Sequence, residues 1–380
     1  MRSIWKITAL IVILGVVWGG WQFFHPPMPP LREPYTEAQE PIDSRTGLYL
    51  ADDSGEHSLV VPALTSGFYA MPVDRWGPHE KLSGEQLQER NLLRLESQPY
   101  DIREIQIEQD VPLAAWLFEP ARDAKGGLLI LHGAGDSSRA NSWYVYLAHT
   151  LASAGYVVVL PDKRGSGRSG GDWRSEPLTR LAQDGAAWLQ KLRVEVPGLA
   201  KYGLIGISQG GTIAPEAARL SDADFAFAES AVALPLKAQL PVEVGNDIAS
   251  ANAPKLLRPF LTWIYTARAT NRYRQFWKHN SDYDMVTEWE KWGGPFFVAY
   301  GERDEFQFVP VEASVQRLAK SHPDDPNIRW RVYDRVSHSL TYQEGPAEGQ
   351  FHAQHLADTL RWLETYQVPD LVPDGTEDGK

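Results

Sequence analysis

One stretch of the sequence decides the fold: Lys201-Tyr-Gly-Leu-Ile-Gly-Ile-Ser-Gln-Gly-Gly-Thr-Ile-Ala-Pro-Glu-Ala-Ala-Arg219. An apolar, β-prone run at residues 204–207 leads into Ser208, and helix-forming residues follow at once. This order predicts a strand, a sharp turn and a helix, which together lift the Ser208 hydroxyl clear of the sheet. Such a turn crowds its neighbours so closely that glycine is required at Gly206 and Gly210.

The G-x-S-x-G pattern is weak by itself, because glycine and serine are common in loops. Its position between a strand and a helix favours a nucleophilic Ser208 over an ordinary structural turn. The backbone amide of Gln209 would lie at the helix N-terminus, where developing negative charge is stabilised. We therefore predict Gln209 as one donor of an oxyanion hole.

The composition excludes several classes of protein. The chain has 380 residues, of which 43% are hydrophobic, and a formal net charge of −12. Such an acidic chain lacks the basic footprint that nucleic-acid binding needs. The sequence contains no cysteine, which excludes disulfides, thiolate catalysis and cysteine-ligated zinc. The sequence shows no cluster of metal ligands either, so we expect no metal and no cofactor.

The N-terminus carries an apolar run at residues 7–18, and the following residues extend it to about the length that crosses a bilayer. Arg2 and Lys6 precede the run, and cations on that side favour a cytoplasmic N-terminus. The sequence therefore predicts a single-pass transmembrane anchor at residues 1–24, with the rest of the chain in the periplasm or outside the cell. The alternative is a cleaved signal peptide, but no small-x-small cleavage site follows the run.

Residues 25–100 are predicted to form a spacer and an N-terminal extension. Five prolines between residues 26 and 34 make the spacer stiff. Short apolar pieces within residues 48–71 predict strands laid on the main domain or on its membrane side. A capping-box pattern that begins at Ser83 predicts a helix at residues 82–97.

The main domain is predicted at residues 101–367, ahead of an acidic, disordered tail at residues 368–380. It opens with an alternating pattern that turns at Asp110-Val-Pro112, which predicts an antiparallel hairpin. Short buried-strand runs then alternate with helical segments, at residues 128–131, 156–160, 204–207, 225–228 and 296–300. This alternation predicts a mostly parallel sheet covered by helices on both faces. Ligands of such sheets bind outside the carboxyl ends of the strands.

Two glycine-rich loops follow strands of this sheet. The first is His132-Gly-Ala-Gly-Asp136, where the Ala134 amide would serve as a second oxyanion donor beside Gln209. The alternative for this loop is an ordinary strand-to-helix turn. The second loop, at residues 161–171, contains Lys163 and two arginines. It lacks the spacing of a phosphate-binding loop, so we interpret it as a structural turn packed beside the site.

Three motifs occur in order after the hairpin: His132-Gly133, Asp162-Lys-Arg-Gly-Ser-Gly167-Arg-Ser169 and Gly206-Ile-Ser-Gln-Gly210. Their order and strand context resemble the α/β-hydrolase fold, nearest to its serine esterase, lipase and aminopeptidase-like branches. The resemblance covers about residues 101–367. It implies an α/β fold with the chain order serine, acid, histidine, and with the acid at the end of a late strand.

The acid that the resemblance implies has a good candidate. The predicted strand at residues 296–300 ends in Gly301-Glu-Arg-Asp-Glu305. This placement puts Asp304 where the family keeps its acid. Glu302 and Glu305 are neighbours that would substitute for it, and we favour Asp304 over both.

The candidate base is His338, which follows a second β-prone run at residues 328–333 and precedes the last helix. A base must be presented by a loop if it is to reach over the sheet edge to Ser208. We interpret His132 as a residue that shapes the oxyanion loop. Four other histidines of the domain compete less well because they lie in predicted helices or turns: His149, His322, His352 and His355.

Residues 235–294 depart from the rhythm of strands and helices, and we predict an inserted helical lid over the carboxyl ends of the strands. Residues 255–278 carry six basic residues and no acidic one, against the trend of the whole chain. Three interpretations stay open: a solvated cationic helix face, a pocket for carboxylate-bearing substrates, and a contact with anionic lipid head groups.

These observations predict a membrane-anchored serine hydrolase that cleaves carboxylic esters of small molecules or lipids. Ser208, His338 and Asp304 would form its catalytic triad and pass through an acyl-enzyme. A serine peptidase and an acyltransferase are the enzymatic alternatives, because both reactions use the same groups. A non-catalytic binding scaffold is the alternative from another class.

Overall fold

The structure is a computed structural model that describes residues 23–28, 30, 33–51, 55–90 and 92–367. The predicted anchor lies outside the described residues except for Phe23 and Phe24, and the predicted tail lies wholly outside them. Within the described ranges, no helix is long and apolar enough to cross a membrane.

The N-terminal extension folds into an antiparallel sheet of five short strands, in the order β4-β3-β2-β1-β5. The strands are β1 (Gly47–Ala51), β2 (His57–Pro62), β3 (Phe68–Pro72), β4 (Glu80–Leu82) and β5 (Leu92–Arg94). Leu59 and Met71 of this sheet join a hydrophobic cluster that also contains residues of the main domain. The extension is therefore packed onto the main domain, which is one of the two placements predicted for its strands.

The predicted helix of the extension is only partly correct. Helix α1 (Gly84–Glu89) begins with the predicted capping box, in which the Ser83 hydroxyl accepts the amide of Gln86 at 3.1 Å. The helix ends before the predicted boundary at residue 97, because Leu92–Arg94 pairs with β1 as strand β5. Pairing with a distant strand here overrides the local helical pattern.

The main sheet has eight strands, in the order β13-β12-β11-β10-β8-β9-β7-β6. They are β6 (Tyr100–Glu108), β7 (Pro112–Pro120), β8 (Gly126–Leu131), β9 (Tyr156–Pro161), β10 (Tyr202–Ile207), β11 (Phe225–Glu229), β12 (Phe296–Gly301) and β13 (Ile328–Tyr333). Strands β6 and β7 form the predicted antiparallel hairpin, and β8 to β13 run parallel to one another. The sheet is therefore mixed and mostly parallel, as predicted.

Helices cover both faces of this sheet. They are α2 (Ser142–Ser153), α3 (Leu178–Glu195), α4 (Gln209–Ser221), α5 (Leu236–Ser250), α6 (Arg258–Arg272), α7 (Arg274–Asn280), α8 (Met285–Trp292), α9 (Val311–Ser321) and α10 (Ala353–Thr365). One cluster buries Trp188 of α3 and Ala214 of α4. The other buries Val145 of α2 and Trp362 of α10. Two apolar layers thus enclose the strands whose carboxyl ends carry the polar residues singled out in the sequence.

Candidate active site

Ser208 occupies a strained turn between β10 and α4. Its φ of 53° and ψ of −117° lie in a region that residues with a side chain rarely adopt. A β-carbon at Gly206 would overlap the carbonyl oxygen of Gly210, and one at Gly210 would overlap the carbonyl oxygen of Leu131. The prediction that only glycine fits at these two positions is therefore confirmed on steric grounds.

His338 and Asp304 form a hydrogen-bonded pair beyond the ends of β13 and β12. The Nδ1 atom of His338 lies 2.8 Å from Oδ2 of Asp304, which is fully buried. Because an ionised carboxylate only accepts hydrogen bonds, the pair fixes the ring proton on Nδ1. Of the two alternative carboxylates, Glu305 accepts a backbone amide at 2.7 Å, and Glu302 is exposed.

The loop that carries His338 is held in place by short contacts. Ser230 donates its hydroxyl to the carbonyl oxygen of His338 at 2.8 Å. The Phe308 ring packs edge-on against the His338 ring, with the centroids 4.9 Å apart. A side chain at Gly301 would overlap the carbonyl oxygen of Ser337, so glycine at the end of β12 allows the loop to approach.

Ser208 and His338 line one cavity of about 350 Å³. Among the described residues, no hydrogen bond joins the Ser208 hydroxyl to the His338 ring, and catalytic hydrogen bonds are often long before substrate binds. The cavity has mainly aromatic and apolar walls with two polar side chains from α5: Trp76, Trp143, Tyr144, Ile207, Phe308, Gln239 and Glu243. Across the described ranges, no group of three or more acidic or histidine side chains is placed to hold a metal ion.

The two residues predicted as oxyanion donors both lie near Ser208. Ala134 lines the same cavity as Ser208, and Gln209 begins helix α4 immediately after it. The amide of Gly133, beside Ala134, is already used because it donates to the Tyr144 hydroxyl at 2.7 Å. Among the described residues, the amides of Ala134 and Gln209 donate to no other group, so both stay candidate donors.

Lys163 is a site residue whose role the sequence did not reveal. Its Nζ donates to the carbonyl oxygen of Gly133 at 2.8 Å and to Oε1 of Gln209 at 2.6 Å. It therefore ties the oxyanion loop to the residue after Ser208. Burial lowers the pKa of Lys163 to about 7. The second glycine-rich loop, at residues 161–171, is a structural turn, as predicted. Its buried Asp162 accepts hydrogen bonds from the backbone amides of Arg139 and Arg168.

His132 has the structural role predicted for it. Its Nε2 lies 2.6 Å from the carbonyl oxygen of Pro161, and its Nδ1 lies 2.8 Å from the Ser137 hydroxyl. Burial lowers the pKa of His132 to about 3, so the ring is neutral at physiological pH. It stabilises the start of the oxyanion loop and does not titrate in the working range.

The insertion at residues 235–294 contributes an acidic side chain to the Ser208 cavity. The basic residues clustered at positions 255–278 lie elsewhere. Glu243 of α5 lines the cavity, and burial raises the pKa of its carboxyl group. Arg268 and Arg272 instead line a separate cavity of about 480 Å³ between α5 and α6. None of the basic residues at positions 255–278 lines the Ser208 cavity. The interpretation that they form a pocket for carboxylate-bearing substrates at Ser208 is therefore not supported.

The mixed sheet and the serine on its strained turn define the class: the chain has the α/β-hydrolase fold and is a serine hydrolase. The model of the protein family described as "Serine aminopeptidase, S33" matches residues 122–287. That match spans less than half of the chain and ends before Asp304 and His338. No curated protein matches the sequence.

The chain is similar in structure to several hydrolases. An esterase of Pyrococcus furiosus matches with a TM-score of 0.50 at 21% identity, over 65% of this chain and 89% of that one. A proline iminopeptidase of Mycobacterium smegmatis matches with a TM-score of 0.46 at 18% identity, over 70% and 98% of the two chains. At such identities the likeness to the esterase supports the fold alone.

Proposed function

We propose that the chain hydrolyses carboxylic esters, with Ser208 as nucleophile, His338 as general base and Asp304 as the acid that orients the base. The observation that carries the proposal is the 2.8 Å contact between His338 and the buried Asp304, at a cavity that His338 shares with the strained Ser208. The ring nitrogen that Asp304 leaves unused, Nε2, is the one that a serine nucleophile needs.

The mechanism follows from these positions. His338 Nε2 takes the hydroxyl proton of Ser208 while the serine oxygen attacks the acyl carbon, and the amides of Ala134 and Gln209 stabilise the oxyanion. The imidazolium then gives its proton to the alkoxide that leaves, and an acyl-enzyme is formed. Water, deprotonated by His338, attacks the acyl carbon in turn, so that the carboxylic acid is released and the serine is restored.

Hydrolysis of esters of graded acyl length tests this proposal. Ser339 provides a matched control because it lines the same cavity as Ser208. We expect Ser208→Ala to reduce kcat on the order of 10⁴-fold or more, while Ser339→Ala stays within a few-fold of the wild type. Equal losses in the two variants would contradict the assignment. Product analysis in the presence of added alcohols distinguishes hydrolysis from acyl transfer.

One observation favours aminopeptidase activity as the second candidate. Glu243 brings a carboxyl group to the cavity that contains Ser208 and His338, and a carboxylate there would pair with the α-ammonium of an amino-acid substrate. The name of the matching family model points the same way. If this candidate is correct, Glu243→Gln raises KM for aminoacyl amides about tenfold or more and leaves neutral esters unchanged. An equal change in KM for both substrate classes would reject it.

We further propose that residues 1–24 anchor the chain in a membrane with the hydrolase domain on the extracytoplasmic side. The support is the apolar run at residues 7–18 with Arg2 and Lys6 before it. Protease treatment of intact spheroplasts tests this arrangement. The domain should be degraded from outside, and a domain that is cleaved only after lysis would contradict the proposed orientation.

A further inference from the structure

Helix α6 presents a row of large apolar side chains to solvent. Leu256 is 95% exposed, Trp263 64%, Phe260 56% and Leu257 50%. Because these four residues lie at positions i, i+1, i+4 and i+7, they share one face of the helix and the 3₁₀ turn before it. We call this surface, Leu256, Leu257, Phe260 and Trp263, the α6 patch.

The packing of the insertion does not require the α6 patch. A different face of α6, with Leu261, Tyr265 and Ala269, lines the cavity that α6 forms with α5. No side chain of α6 is fully buried. A contiguous apolar surface beyond what the fold uses usually marks an interaction site.

The charges around the patch indicate what kind of surface it would contact. Residues 255–278 contain six basic residues and no acidic one, in a chain whose formal net charge is −12. Among the described residues, none of the six forms an ion pair with a carboxylate. Tryptophan, phenylalanine and leucine on one face, combined with lysine and arginine, are typical of helices that lie in a membrane interface.

The start of the described chain places the same helix next to the predicted anchor. Arg268 of α6 donates from Nε to the carbonyl oxygen of Phe23 at 3.0 Å. The Phe23 ring lies edge-on to the ring of Tyr265, with the centroids 5.7 Å apart. Phe23 lies near the end of the predicted anchor at residues 1–24. A chain that leaves a bilayer at this residue therefore brings α6 to the bilayer surface.

We propose that the α6 patch is a bilayer-docking surface, which inserts at the boundary between head groups and acyl chains of a membrane that contains anionic lipid. It forms a second membrane contact in addition to the N-terminal run. The proposal does not depend on which bond Ser208 cleaves. Since α5 packs beside α6 and carries Gln239 and Glu243, docking also sets the orientation of the cavity relative to the membrane.

The absence of cysteine makes a direct test possible with the full chain. Leu256→Cys and the matched control Val194→Cys each introduce a single thiol for a fluorescent label. Val194 is apolar and 75% exposed, and it lies near the end of α3 that precedes β10, at the sheet edge opposite the carboxyl ends. Both variants are reconstituted in phosphatidylcholine vesicles, with or without phosphatidylglycerol, that contain doxyl-labelled lipid as quencher.

We expect the label at position 256 to be quenched several-fold more strongly than the label at position 194. The difference should be larger with phosphatidylglycerol and should shrink there when Lys255→Gln and Arg258→Gln are added. Equal quenching at both positions would overturn the proposal, because an anchor alone would tether the domain without inserting the patch. Cross-linking of two chains through position 256, without lipid quenching, would assign the patch to a second copy and also overturn it. Unchanged ester hydrolysis by the labelled chains shows that they are folded.

Discussion

The turn around Ser208 and the helical insertion differ in how much of each is buried. Nearly every residue of α4 is buried, and only glycine fits at Gly206 and Gly210 on the two sides of Ser208. In contrast, α5 buries only Leu236 among its side chains, and α6 buries none. The backbone therefore fixes the position of Ser208, whereas the helices of the insertion keep most of their side chains at least partly exposed.

The largest expected effect is on catalysis, when the acid of the proposed triad is replaced. Asp304→Asn should reduce kcat about 10³-fold or more, because an amide no longer selects the ring tautomer that leaves Nε2 free to accept the serine proton. Glu302→Gln is the matched control, since Glu302 is an exposed neighbour on the same 3₁₀ turn. Steady-state kinetics on one ester measure both variants. A comparable loss in the control would show that the charge of the turn matters and not the contact to His338.

Substitution of two leucines compares what β10 and the insertion each contribute to stability. Leu204 is fully buried in β10, whereas Leu256 is exposed in the insertion. Leu204→Ala should lower the free energy of unfolding by about 2–5 kcal/mol through lost burial and a residual cavity. Leu256→Ala should change it by about 0.5 kcal/mol or less. Urea unfolding of the two variants measures both values, and similar losses would mean that the insertion is part of the cooperative core.

The smallest effect concerns pH. Burial holds the pKa of Lys163 near 7, below its value of about 10.4 in an unfolded chain. Between these values the unfolded state binds more protons, so this group makes the folded chain more stable as pH rises from 7 to 10. Below pH 7 both states are protonated, and the group adds no pH dependence.

The variant Lys163→Met isolates this contribution because methionine does not titrate. The difference in the free energy of unfolding between wild type and variant should grow in favour of the wild type by about 1–3 kcal/mol over that pH range. Denaturant unfolding at several pH values measures it. A difference that stays flat would mean that Lys163 is charged at neutral pH and that its three hydrogen-bond acceptors outweigh its burial.

The strands and the polar residues at their ends were predictable because each depends on a local signal. Asp304 was predicted because it follows the strand at residues 296–300, where the resembled family keeps its acid, and His338 was predicted because it lies on a loop after a β-prone run. The helix at residues 82–97 was partly wrong because β5 pairs with β1, far away in sequence. No local sequence pattern indicates which distant strand a segment pairs with.

Long-range contacts also explain which residues of the site were missed. Trp76 reaches the cavity from the loop between β3 and β4, and its amide donates to the carbonyl oxygen of Gly349 at 2.7 Å. Glu243 reaches it from the insertion, and Lys163 bridges two loops. The signal that was available for Lys163 is a lysine two residues after a fully buried strand, where a cation must find acceptors.

The central claim is that Ser208 is the nucleophile, activated by the pair of His338 and Asp304. Its most direct test is the reaction of the full-length chain with a fluorophosphonate, followed by peptide mapping by mass spectrometry. The account predicts one adduct, on Ser208, that is lost in Ser208→Ala and strongly slowed in His338→Ala. An unlabelled wild-type chain, or an adduct that persists in Ser208→Ala, would contradict it.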